Sequence, residues 1–188
     1  FSASERKLLA RSISLFDDVV ELFRYLIPQG EHFVTSIILD INILVYLLMI
    51  LNGVDVISPN GIELLEWGAN RRSETTNGAW WRLISNIFVH GGIMHLILNT
   101  IGLVIAAFFV EPILGRLKYF LLYILSGIIG SLASVYWYDN ITSVGASGAI
   151  FGLFGAILIL PLSFKVGIAF VTGLFSFISR ELSNAFRF

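Results

Sequence analysis

Long apolar runs separated by short polar stretches dominate the pattern of this chain. Five such runs carry few charged residues and are typical of helices in a hydrophobic medium. They predict membrane spans at residues 35–51, 92–113, 118–137, 146–162 and 165–178. The fifth span would be about 21 Å long at ~1.5 Å per residue, which is short against ~30 Å of hydrocarbon. The predicted fold is an all-α, polytopic membrane protein built as a helical bundle.

The first 30 residues follow a different pattern. Apolar side chains recur every three or four positions between charged ones, which predicts an amphipathic helix over residues 4–26. A membrane-surface anchor and a soluble packing helix are both compatible with this pattern. We therefore expect an interfacial segment at residues 1–30 and a membrane domain at residues 31–188.

The connection between the first two predicted spans, residues 52–91, is too long for a simple turn. It contains Trp67, Trp80 and Trp81 among charged residues, a composition typical of the membrane interface. Long loops in compact proteins usually have a structure of their own. We expect a partly embedded loop that lies against the outer leaflet, with a helix near residues 61–67 and an anchor at Trp81 and Arg82.

Composition and charge narrow the class of protein. Hydrophobic residues make up 56% of the chain, charged residues 13%, and the mean hydropathy is +0.85, which excludes an ordinary soluble domain. Cysteine is absent, and no basic patch suggests nucleic acid. Lys and Arg precede the first span and follow the second and the fourth, whereas none lies between the third and the fourth. This asymmetry predicts a cytoplasmic amino terminus and an outward-facing start of the fourth span.

Ser147, at the start of the fourth predicted span, is the candidate nucleophile. Gly145 and Gly148 flank it, and their missing side chains allow a tight backbone turn that leaves the serine Oγ uncovered. The same small residues are common where membrane helices pack closely. A purely structural serine is therefore the alternative.

Three polar side chains, His90, His95 and Asn99, cluster at the start of the second predicted span. His95 and Asn99 share a helix face, and His90 can fold back toward it from beyond two glycines. Imidazole and amide N–H groups are suited to stabilising an oxyanion. Buried hydrogen bonds between helices are the alternative. A metal site is disfavoured, because the spacing is not that of a metalloprotease helix and no nearby carboxylate completes a ligand set. We expect no metal and no cofactor.

Four pieces of the sequence recur together in one known family. They are residues 78–83, His90 with His95 and Asn99, Glu111 with Gly115, and residues 145–149. In these pieces the sequence resembles the rhomboid family of intramembrane serine proteases, and the resemblance covers about residues 35–162.

The resemblance implies a rhomboid-like bundle in which Ser147 is the nucleophile. His90, Asn99 and the Ser147 N–H would form the oxyanion hole. Other roles are implied for six residues: a buried hydrogen-bonding histidine, His95; the signature of the embedded loop, Trp81 and Arg82; a structural pair on the cytoplasmic side, Glu111 and Gly115; and a ring that stacks on the general base, Phe151.

The family's general base is a histidine on a sixth span, and no histidine follows Ser147 in this sequence. A serine without a base is a poor nucleophile. Three explanations are open. The sequence is C-terminally incomplete, as its start at Phe1 instead of Met suggests; or the protein is a natural inactive relative; or His90 serves as the base.

The expected function is that of an intramembrane serine endopeptidase of the bacterial inner membrane. Its partners would be the lipid bilayer and transmembrane proteins, which it would cleave near the outer face. The alternative is an inactive rhomboid-like protein that binds transmembrane clients. A channel or transporter is disfavoured, because the spans show no charged pathway and no inverted repeat.

Overall fold

The computed structural model describes residues 27–163 of the 188-residue chain, and the side chains of residues 27–160. Within this part the structure is helical, and the β pairing consists of an isolated antiparallel bridge between Asn70 and Ser143. The amphipathic helix predicted at residues 4–26 and the span predicted at residues 165–178 lie outside the described residues.

Six α-helices follow one another in the described residues. A short 3-10 turn, Gly30–His32, leads into α1, Phe33–Leu51. The long loop, residues 52–91, contains α2 (Gly61–Glu66), α3 (Arg72–Thr76) and α4 (Arg82–Ser85). Helix α5 is Ile93–Trp137 and α6 is Ser147–Ser163. These bounds confirm, within two residues, the helices predicted at 35–51, 61–67 and 146–162.

Helix α5 consists of two halves joined at Gly115. The φ of 72° and ψ of 166° at this residue are readily adopted only by glycine. A Cβ at Gly102, in the first half, would lie 3.3 Å from Ile150 Cγ2 of α6, and one at Gly130, in the second half, 3.2 Å from Gly148 Cα. A straight helix would separate these two glycines by about 42 Å. The two halves therefore run antiparallel and lie where the sequence predicted two helices, at 92–113 and 118–137.

Apolar length and surface character fit a lipid environment. The helical stretches Gly30–Leu51 and Ile93–Trp137 are long and apolar enough to cross a membrane, and Ser147–Leu160 is apolar but shorter. Large apolar side chains on their outer faces, such as Leu98, Phe108 and Leu158, are more than half exposed. In water, each Å² of apolar surface that stays exposed costs about 25 cal/mol of free energy relative to burial. In a bilayer the lipid chains cover this surface, and the cost does not arise.

Small residues let α5 and α6 approach closely. Gly148 and Gly130 face each other, and a Cβ at Gly152 would lie 2.0 Å from Ser126 Oγ and 2.2 Å from Ser126 Cβ. Close backbone approach of this kind is the usual packing mode of helices in a membrane, where dispersion contacts replace the hydrophobic effect.

The Gly152→Ala variant is expected to lose about 1–3 kcal/mol of stability, because the added methyl group overpacks the contact with Ser126. The matched control is Gly155→Ala in the same helix, where a Cβ would meet nothing within 4 Å. Alanine favours helix over glycine, so the control should be as stable as the wild type or slightly more so. Thermal unfolding of both variants in detergent measures the difference, and equal melting temperatures would contradict this packing.

A buried carboxylate, Glu111, holds the beginning of α1 against α5. Its Oε1 accepts from the Val34 N–H at 2.7 Å, and its Oε2 accepts from the Thr35 N–H at 3.0 Å and from the Thr35 hydroxyl. Thr35 Oγ1 is also 3.0 Å from the Tyr119 hydroxyl. Backbone N–H groups in the first turn of a helix have no partner within that helix. Glu111 therefore provides the cap of α1 from another helix.

The long loop is a folded unit. Helix α2 begins at a capping box, in which Asn60 Oδ1 accepts from the Glu63 N–H and the Glu63 carboxylate accepts from the Asn60 N–H. Arg82 donates to the carbonyls of Leu65 (2.7 Å) and Ala69 (2.8 Å). Its guanidinium also lies 4.7 Å from the centre of the Trp81 ring.

Candidate active site

The position of Ser147 is determined by the four residues before it, 143–146, which we call the approach segment. Ser143 pairs with Asn70 through two backbone hydrogen bonds of 2.7 and 2.9 Å. The Gly145 N–H donates to the Asn86 carbonyl at 2.8 Å. The long loop thus holds the approach segment by three backbone hydrogen bonds, and the half-buried Ser147 follows as the first residue of α6.

Gly145 brings the approach segment against the polar cluster at the start of α5. A Cβ at this position would lie 2.6 Å from His95 Cε1, 2.8 Å from His95 Nε2 and 3.5 Å from Asn99 Nδ2. The φ of +101° at Gly145 is also disfavoured for any other residue. The structure therefore brings together His95, Asn99 and the backbone immediately before Ser147.

The hydrogen bonds of His95 and Asn99 fix which of their atoms can donate toward the approach segment. The Gly91 N–H donates to His95 Nδ1 at 3.2 Å, so in a neutral imidazole the proton lies on Nε2. Asn99 uses one N–H of its amide on the His95 carbonyl at 2.8 Å and retains the other. Two side-chain donors, His95 Nε2 and Asn99 Nδ2, thus flank Gly145.

His90 lies beneath this pair and is fully buried, with 0% of its surface exposed. Its Nδ1 is 3.1 Å from the Phe88 carbonyl, and its ring packs edge-on against His95 with 5.5 Å between centroids. Burial, and second the neighbouring His95, lower the pKa of His90 to about 4. His90 is therefore neutral at physiological pH.

The burial expected of the two histidines is reversed in the structure. The sequence predicted His95 as the buried histidine, whereas His95 is half-buried and His90 is the enclosed one. The two histidines are separated by the turn before α5, where Gly92 has a φ of +107°, so His90 lies outside the helix that carries His95. Only His95 shares the helix face of Asn99.

The remaining predicted site residues differ in how they pack and in how exposed they are. Gly148 contacts Gly130 of α5, and the Phe151 ring, one turn after Ser147, is 75% exposed. Trp81 is 55% exposed on the long loop, apart from the cluster at His95. Within residues 27–160, no group of three or more His, Asp or Glu side chains is arranged to hold a metal ion.

Sequence reasoning missed two asparagines that contact the approach segment, Asn70 and Asn86. Both are buried, with 1% and 3% of their surfaces exposed. In the sequence, Asn70 and Asn86 appear only as polar residues that precede and follow the Trp81–Arg82 pair. Isolated polar residues in a loop are usually exposed, so the sequence did not indicate that these two are buried.

A family model now decides the classification: the Rhomboid domain matches residues 77–184. The chain belongs to the rhomboid family. Because members of this family are membrane proteins and two helical stretches are apolar and long enough to cross a bilayer, this rhomboid is an integral membrane protein.

Similar proteins include rhomboid proteases and an inactive rhomboid-like protein. The chain is 39% identical to rhomboid protease GluP of Bacillus subtilis over 135 residues, which cover 72% of this chain and 26% of that protein. It is 44% identical to the putative rhomboid protease YdcA of the same organism over 87 residues, 46% of this chain and 44% of that protein. It is also 36% identical to inactive RHOMBOID-like protein 8 of Arabidopsis thaliana over 91 residues, 48% of this chain and 26% of that protein.

This rhomboid sequence thus spans about a quarter to less than half of the length of these relatives. No solved structure gives a significant match to it.

Proposed function

We propose that this chain supplies the nucleophile and the oxyanion donors of an intramembrane serine endopeptidase. Its substrates would be transmembrane segments of other membrane proteins, cleaved near the outer face of the bilayer. The observation that carries the proposal is the packing of Gly145 against His95 and Asn99, two residues before Ser147. Two oriented N–H donors next to a serine at a helix start are the arrangement that acyl transfer requires.

In the proposed reaction the Ser147 hydroxyl attacks the scissile carbonyl carbon, and negative charge develops on the carbonyl oxygen. The first N–H groups of α6 have no partner within the helix, so the Ser147 N–H is available to that oxygen. His95 Nε2–H and the second N–H of the Asn99 amide would donate from the other side. Each donor of this kind typically contributes about 3–4 kcal/mol to the stability of the transition state.

We assign the imidazole donor to His95 instead of His90, the residue implied by the resemblance. The support is geometric: His95 Nε2 lies next to Gly145, whereas His90 Nδ1 is 3.1 Å from the Phe88 carbonyl. In this assignment His90 supports the His95 ring from below.

His90 is also poorly suited to be the general base. Its pKa of about 4, lowered chiefly by burial, makes it a weak proton acceptor at neutral pH. The base therefore stays unassigned among the described residues, and activity is to be measured on the full-length gene product.

A topology with the amino terminus in the cytoplasm accounts for the charge pattern. Helix α1, the two halves of α5 and α6 would cross the bilayer, each half of α5 being about 33 Å long. The start of α6 would then face outward together with the long loop. The positive-inside asymmetry and the Bacillus relatives support placement in a bacterial inner membrane.

Labelling of the full-length protein with a fluorophosphonate, followed by peptide mapping, tests the proposal. We expect covalent modification at Ser147 in folded protein and its loss after heat denaturation, with Ser131 unmodified as an internal control. A folded full-length sample without label at Ser147 would instead favour the client-binding function, in line with the inactive relative.

The Asn99→Ala variant is expected to slow cleavage by about 10²-fold, the lower end of the effect of losing one such donor, because His95 and the Ser147 N–H remain as donors. Among the described residues, the Asn99 amide donates to the His95 carbonyl of its own helix, so its removal should leave the fold intact. Steady-state cleavage of a transmembrane reporter measures the effect, and an unchanged rate would exclude Asn99 from the oxyanion hole.

A further inference from the structure

Two buried asparagines of the long loop contact both the second half of α5 and the approach segment. Asn70 and Asn86 are 1% and 3% exposed, and Ser131 of α5, which both contact, is 4% exposed. Buried amide side chains are costly unless their hydrogen bonds are made, and in this cluster the bonds are made with defined geometry.

The side chains of the two asparagines meet at Ser131. Asn70 Nδ2 donates to the Ser131 backbone carbonyl at 3.0 Å, and Asn86 Nδ2 donates to the Ser131 hydroxyl at 2.9 Å. Asn70 is oriented further by the Thr75 hydroxyl, which donates to its Oδ1 at 2.6 Å. One turn of α5 thus fixes the orientation of two side chains of the loop.

The backbones of the same two asparagines bind the approach segment. Asn70 pairs with Ser143 at 2.7 and 2.9 Å, and the Asn86 carbonyl accepts from the Gly145 N–H at 2.8 Å. Residues 139–146 contain no helix, so the segment has no regular hydrogen-bonding pattern of its own. Its position relative to α5 is therefore imposed from outside.

We propose that Asn70, Asn86 and Ser131 form an asparagine clamp that positions the approach segment and thereby directs the Ser147 hydroxyl toward His95 and Asn99. The effect of the clamp on catalysis rests on the proposed function, whereas its effect on the position of the approach segment does not. These three are positioning residues, since their hydrogen bonds among the described residues go to the loop, to α5 and to the approach segment, and not to His95 or Asn99.

The clamp has two separable halves, and this makes the test specific. Ser131→Ala removes the hydroxyl that binds Asn86 but keeps the carbonyl that binds Asn70. We therefore expect the Gly145 amide to exchange hydrogen at least about tenfold faster while the Ser143 amide is unchanged. Asn70→Ala should have the reciprocal effect at Ser143. Ser131→Thr, which keeps a hydroxyl, should restore protection of Gly145.

Activity of the full-length variants provides the second measurement. Ser131→Ala should lower kcat and the rate of fluorophosphonate labelling of Ser147 by about 10–100-fold, since small misplacement of a reacting group has effects of this size. KM should change by less than about threefold, because Ser131 is only 4% exposed and is therefore not expected to contact the substrate. Thr142→Ala is the matched control: its hydroxyl accepts from Arg71, and its loss should leave kcat within about twofold.

The outcomes separate the clamp from the proposed function. Unchanged exchange at Gly145 in folded Ser131→Ala overturns the clamp, as does raised exchange with an unchanged kcat in an active protein. If Ser131→Ala does not fold, hydrogen exchange of the Ser143 amide in Asn70→Ala provides the same test, and unchanged exchange there overturns the clamp. A folded wild-type protein that is not labelled by fluorophosphonate at Ser147 contradicts the proposed function. In that case hydrogen exchange at Gly145 and Ser143 still tests the clamp.

Discussion

Replacing Ser147 with alanine in the full-length protein is expected to lower the cleavage rate of a transmembrane substrate by at least ~10³-fold and to leave thermal unfolding unchanged. The rate falls because the substitution removes the proposed nucleophile from the place where Gly145 brings the backbone against His95 and Asn99. Stability is retained because Ser147 is half-buried and alanine is at least as good a helix former.

A serine outside the site provides the control for this substitution. Ser134 is half-buried on the second half of α5, and Ser134→Ala should keep cleavage and fluorophosphonate labelling within about twofold of the wild type. If the Ser147→Ala variant cleaved the substrate at a substantial fraction of the wild-type rate, Ser147 would be excluded as the nucleophile.

The long helices were predictable from the sequence because each consists mostly of apolar residues, whereas the short helices α3 and α4 of the long loop were not predicted. Gly115 was implied as part of a structural pair by resemblance alone, and its role as the break in α5 follows from a backbone conformation that composition does not reveal. Near the site, helical spacing placed His95 and Asn99 on one face of a helix, whereas their proximity to Ser147 was implied by the resemblance.

The features that the sequence could not predict belong to the tertiary structure. Which histidine is enclosed depends on the turn at Gly92, and periodicity gives no information about a turn with a positive φ. The asparagine clamp joins positions up to 61 residues apart in the chain, such as Asn70 and Ser131. Hydrogen bonds between such distant residues become visible only when the loop is folded onto α5.

The two ends of the bundle are held by different kinds of contact. Around the approach segment, neutral amides and backbone groups fix the position of Ser147, whereas near the break in α5 a single buried carboxylate, Glu111, receives three hydrogen bonds from the start of α1. Hydrogen bonds to a charged group are typically about twice as strong as neutral ones. We therefore expect the largest effect on stability at Glu111, far from the proposed chemistry.

Glu111→Ala is accordingly expected to lower the free energy of unfolding by about 3–5 kcal/mol. The substitution leaves the Val34 and Thr35 N–H groups and the Thr35 hydroxyl without their acceptor in a site where Glu111 itself is 1% exposed. Glu111→Gln should lose less, because its amide oxygen can still accept from one of the donors. Unfolding by titration with SDS, followed by tryptophan fluorescence, measures both variants.

The control is Glu66→Gln, which changes an exposed carboxylate at the end of α2 and should alter the free energy of unfolding by no more than about 0.5 kcal/mol. If Glu111→Ala were as stable as this control, the cap on α1 would contribute nothing. If instead Glu111→Ala lost stability while the folded fraction kept its rate of fluorophosphonate labelling at Ser147, then Glu111 would hold the bundle together without acting on the site. The latter is the expected result, because within the part of the chain that the structure describes the carboxylate accepts hydrogen bonds from Val34 and Thr35 of α1, and no hydrogen bond of the approach segment involves Glu111.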